Sequence, residues 1–85
     1  MKFPSEVHTK GCRCRAVVRT SEEALRLIDD ELPAELRSAS RWAFARELLL
    51  ACERSGKKRD AVYAMRQLRQ ALANDDLLAE DAPVH

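Results

Sequence analysis

The hydrophobic period of this chain changes once, at Thr20-Ser21-Glu22-Glu23, and that change decides what the chain can fold into. Ahead of it the pattern has period two. In Cys12-Arg13-Cys14-Arg15-Ala16-Val17-Val18-Arg19 the even positions are small or apolar and most odd positions are Arg, which describes a strand with one buried face. Phe3 and Val7 give a preceding segment a matching apolar side, opposite Lys2, Glu6, His8 and Lys10. A two-residue turn at Lys10-Gly11 would pair residues whose numbers sum to 21. Phe3 would then face Val18, Val7 would face Cys14 and Ser5 would face Ala16, with Glu6 against Arg15 and His8 against Arg13 on the outer side. A lone hairpin is marginal in water, so its apolar face must rest on helices.

From Thr20 the period becomes helical. Thr20 and Glu23 have the spacing of a capping box, and the acids of the first turn suit the positive end of a helix. Ala24, Leu25, Leu27, Ile28 and Leu32 share an arc, and Pro33 predicts an end near Glu31. A second helix is predicted from Ser38 or Ser40 to about Arg54, with Gly56 as its C-terminal residue. Trp42, Phe44, Ala45, Leu48, Leu49, Ala51 and Cys52 fill about half its circumference, at roughly 100° per residue; Trp42 and Phe44 are assigned to the core, as is Cys52 beside the stripe of Ala45 and Leu49. Ala43 and Leu50 fall outside that arc and can supply a seam for a homodimer, a common aid to so small a domain. The third helix, Lys58 to Asn74, carries Ala61, Ala64, Met65, Leu68, Ala71 and Leu72 as one stripe.

The expected architecture is therefore α+β: an N-terminal two-stranded antiparallel β-hairpin packed on three α-helices. Residues 1–74 form a single small domain, and 75–85 are expected to be an acidic, frayed tail. At 85 residues there is no room for a second core. The longest apolar run, Leu48 to Cys52, is far short of a membrane span, and Met1 to Glu6 hold no apolar core of signal-peptide length, so a cytoplasmic location is expected.

In this order, a hairpin, a Thr20-Ser21-x-Glu23-Ala24-Leu25 helix start, a Leu32-Pro33 helix end and two further helices with Ala61, Ala64, Met65 and Ala71 in the last, the chain resembles the bacterial family called domain of unknown function 982. The resemblance covers about residues 3–72. It implies the fold and brings no reaction with it.

No reaction is expected from the residues themselves. Cys12 and Cys14 form a Cys-x-Cys pair without a second pair of Cys or His, and read most simply as small buried strand residues that hold neither metal nor disulfide. The two His residues, His8 and His85, stand on a solvated strand face and at the terminus, and the isolated Gly11 and Gly56 make no phosphate loop. Neither a cofactor nor a metal is called for.

Charge is where function is legible. Net charge is only +1, yet residues 37–70 hold nine Lys or Arg against three acids, between acidic flanks. Arg59, Val62, Tyr63, Arg66, Arg69 and Gln70 lie on the outer face of the third helix, and Arg and Tyr dominate interface hot spots. These six are the candidate partner-binding residues of a protein-interaction or regulatory module that has no catalytic activity. A small nucleic-acid-binding regulator using the same basic face is the alternative, disfavoured by the near-neutral total charge.

Overall fold

The computed structural model describes residues 1–10 and 17–79. Two antiparallel strands, β1 (Lys2–His8) and β2 (Val17–Thr20), precede α1 (Ser21–Arg26), which continues as a π-helical segment, Leu27–Glu31. A four-residue helix, α2 (Ala34–Arg37), leads into α3 (Ser40–Ser55) and α4 (Lys58–Asn74). The fold is α+β, and its core lies between the sheet, α1, α3 and α4. No helix among the described residues is long and apolar enough to cross a membrane.

The hairpin register differs from the sum-of-21 expectation. Val7 is opposite Val18, not Cys14, and His8 is opposite Val17, not Arg13, while Lys2 is opposite Thr20. Between these pairs β1 spends five residues and β2 two, so β1 carries an irregularity around Pro4-Ser5-Glu6. Pro4 has no N–H to give a ladder, which favours the break there. Ser5 is exposed, although its hydroxyl still turns toward α4 and reaches Met65 Sδ at 3.6 Å, and Glu6 pairs with Arg19 at 2.9 Å. Phe3, Val7 and Val18 still meet in the core.

Beyond His8 the backbone is committed to the C-terminal segment: Lys10 N–H donates to the Leu77 carbonyl, and Ala79 N–H donates to the His8 carbonyl, both at 2.9 Å, flanking a bridge of Thr9 to Leu78. The expected placements of Gly11, Cys12, Arg13, Cys14, Arg15 and Ala16 lie outside the described residues.

Helix starts and stops follow local chemistry. Thr20 Oγ1 accepts from Glu23 N–H at 3.1 Å, and Glu23 Oε1 accepts from Arg19 N–H at 2.7 Å, a capping box closed one residue early. The π-helical segment ends where Leu32 N–H reaches the Leu27 carbonyl, five residues back. That wider turn lets Leu27, Ile28 and Leu32 all face inward before Pro33 halts the helix. The brief α2 escaped the sequence reading because it buries no residue fully. Gly56 ends α3 at φ 67°, a left-handed value natural to glycine.

In α3 only Trp42, Ala45, Leu49 and Cys52 are fully buried. Phe44, assigned to the core from sequence, is 46% exposed. It lies roughly 120° from the centre of the buried stripe, too far round for a helix covered mainly by α4 and α1. Cys52 is in the core as expected; its Sγ donates to the Leu49 carbonyl at 3.2 Å, and burial pushes its thiol pKa up. Ser21, fully buried at the start of α1, donates to Glu53 of α3 at 2.8 Å. All six residues of the expected α4 stripe are buried, and the helix has the expected bounds.

The C-terminal segment does not fray at Asp75. Leu77 N–H donates to the Leu72 carbonyl at 2.7 Å and Asp76 N–H to that of Ala73 at 3.2 Å, a Schellman closure with Asp76 at φ 59° in the usual glycine position. Leu77 is buried. The Asp75 carboxylate accepts from Trp42 Nε1 at 2.6 Å and from Arg41 Nε at 3.0 Å. Arg41, then Trp42, holds its pKa below the ordinary aspartate value.

Two outcomes follow. Asp75→Asn should lower stability at neutral pH by about 1–3 kcal/mol, since the indole and guanidinium lose a charged acceptor. A carboxyl whose pKa is depressed by folding stabilises above its unfolded pKa and stops doing so as pH falls through its folded one. The difference between wild type and Asp75→Asn in denaturant melts should therefore shrink on acidification from pH 6 to below the ordinary aspartate range. Separately, Cys52→Asp should cost several kcal/mol by burying an unpaired charge, read as a large fall in Tm; an unchanged Tm would contradict the packing of α3.

Candidate partner-binding face on the last helix

Because α4 buries a narrow stripe rich in Ala, the rest of its surface is left to polar side chains. Arg59, Tyr63, Arg66 and Gln70 recur at four- and three-residue spacing and are all exposed, so they form one line along the helix. Tyr63, 51% exposed, lies between the two arginines. The ion pairs among the described residues take in Arg19, Arg41, Arg46 and Lys10, and none involves Arg59 or Arg66. Their charges are thus open to solvent.

An open groove of about 480 Å³ runs beside this line. Tyr63, Arg66, Arg69 and Gln70 line it, together with Gln67, Ala73 and Leu78. Of the six residues expected from sequence, four border the groove. Arg59 continues the exposed line toward the start of α4, and Val62 is half-buried on its flank. Gln67, Ala73 and Leu78 were missed. The first two have no signal beyond helical spacing, and Leu78 arrives only because the C-terminal segment folds back against β1.

Arg69 differs from the other two arginines. Its Nη2 donates to the Ser5 hydroxyl at 3.2 Å and to the Glu6 carbonyl at 3.1 Å. It thereby ties α4 to the irregular stretch of β1, where strand pairing is broken. Arg59 and Arg66 therefore stand on the outer face of α4 free of such ties, whereas Arg69 is shared between that face and β1. At the other end of the groove helix, Asp60 accepts from the Ser55 hydroxyl at 2.6 Å, while Lys57, Lys58 and Arg59 crowd the positive end of α4.

The expected self-association residues stand elsewhere. Ala43 is exposed and Leu50 half-buried on the outer side of α3. Among the described residues no three His, Cys, Asp or Glu side chains gather into a metal-binding group. Cys12, Cys14 and His85 lie outside those residues.

No protein-family model, curated protein or solved structure matches the chain.

The two arginine roles can be told apart. Arg69→Ala should lower stability by roughly 1 kcal/mol through loss of its tie to β1, whereas Arg66→Ala should change it by less than about 0.5 kcal/mol. Urea melts of the two variants check this, and equal effects would contradict the assignment.

Proposed function

We propose that this domain is a cytoplasmic protein-interaction module with a regulatory role, which takes up an acidic segment of a partner protein along the outer face of α4. The observation that carries the reading is Tyr63, half exposed between Arg59 and Arg66, two cations with no carboxylate partner among the described residues. A rigid aromatic flanked by guanidinium groups is the usual make-up of an interface hot spot. Arg59 and Arg66 would engage carboxylates, Tyr63 would give the apolar contact and Gln70 would extend hydrogen bonding along the groove. We read the resemblance to the family of domain of unknown function 982 as one of architecture, which brings neither a partner nor a reaction with it.

A nucleic acid would meet the same cations, but Arg69 is engaged with β1 and Asp75 and Asp76 stand at the far end of α4, which weakens a continuous phosphate track. Fluorescence anisotropy with a labelled acidic helical peptide, a single-stranded oligonucleotide and a duplex, each at about 50 and about 200 mM salt, separates the two readings. The peptide should bind, and Tyr63→Ala and Arg66→Ala should each weaken it about tenfold or more. Binding of an oligonucleotide alone, with a steep salt dependence and little effect of Tyr63→Ala, would overturn the protein reading.

A further inference from the structure

One side of α3 packs into the core, and the fold leaves open the other, where apolar and charged residues mix. Opposite Trp42, Ala45, Leu49 and Cys52 runs a second line: Ser40, Ala43, Glu47, Leu50 and Arg54, spaced by three, four, three and four residues. This is the a/d spacing of a helix–helix seam. Leu50 is only half-buried and does not belong to the core cluster or to the residues packed on it. Phe44, 46% exposed, and half-buried Ala51 flank the line. Leu50, Phe44 and Ala51 thus set apolar surface beside charged residues on the side of α3 that the fold leaves open.

Charge says what covers it. Glu47 and Arg54 are exposed, and neither takes part in the ion pairs among the described residues. They stand equally far from the point midway between Leu50 and Ala51. We infer that the outer face of α3 is a homodimer seam in which two copies pack antiparallel about a two-fold axis through that point. Glu47 of each copy then meets Arg54 of the other, and Leu50 and Ala51 of both copies meet at the axis. A parallel pair would set Glu47 on Glu47 and Arg54 on Arg54, and an antiparallel axis at Glu47 would again oppose like charges. Only the axis between Leu50 and Ala51 satisfies both ends, and the contact is isologous, so it closes at two copies. The overlap covers about ten residues, roughly 15 Å of helix, so the contact is a small one. The seam lies on a different helix from the α4 face and does not depend on that reading.

Sedimentation equilibrium of the full chain from about 1 to about 500 µM tests it, with circular dichroism to show that each variant is folded; both charges are exposed, so the fold should persist. The wild type should show a monomer–dimer equilibrium. Glu47→Arg and Arg54→Glu should each weaken it about tenfold or more, because each creates two like-charge contacts. An equimolar mixture of the two variants should recover association near the wild-type strength, since the mixed dimer restores both pairs. A wild type that stays monomeric throughout, a dimer indifferent to either reversal, or a mixture no tighter than its components would each overturn the proposal.

Discussion

The structure depends on one buried donor that must find an acceptor. Trp42 is the largest fully buried side chain, and its indole N–H would be costly without a partner. Asp75, at the end of α4, supplies that partner at 2.6 Å and is itself held by Arg41. The contact joins the start of α3 to the end of α4, so the two longest helices are locked at that end. It also fixes where the chain leaves α4. The Schellman closure that follows buries Leu77 and directs residues 77–79 onto the end of β1. Once Lys10 and His8 are paired with that segment, the chain after His8 does not turn back immediately, and β1 meets β2 in the observed register. Leu78, delivered by the same segment, closes one side of the α4 groove.

This dependence explains what could be read from sequence and what could not. The bounds of α4, its buried stripe, the Thr20 cap, Gly56 at the end of α3 and the place of Cys52 follow from spacing and local chemistry, and all were legible. The register of the hairpin was not. It rests on an irregularity around Pro4 and on pairing with residues some seventy positions away, and neither leaves a mark in a period-two pattern. Helical position alone puts Phe44 inward, because it does not say how wide a stripe the neighbours cover. The tail looked acidic and free, yet one of its acids is the acceptor that a buried tryptophan requires.

For the candidate site the same division holds. Arg59, Tyr63, Arg66 and Gln70 were legible because they lie opposite the apolar stripe of a strongly amphipathic helix. Arg69 was misjudged in one respect: at the flank of that helix it reaches β1 and repairs broken strand pairing, a role that exists only in the folded chain. Leu78 belongs to the groove through tertiary contact alone. The outer faces of α3 and α4 thus offer two surfaces of different kind, one apolar with self-complementary charges and one basic around a tyrosine. The two proposals are compatible, since self-pairing through α3 would leave α4 open to a partner.

Asp75 thus couples the helix pair to the sheet. Amide hydrogen exchange in wild type and Asp75→Ala tests it most directly, read at Lys10 and Ala79, whose N–H groups bond the Leu77 and His8 carbonyls. Both amides should lose protection in the variant while amides in the middle of α4, such as Leu68, keep theirs. Unchanged protection at Lys10 and Ala79 would contradict it.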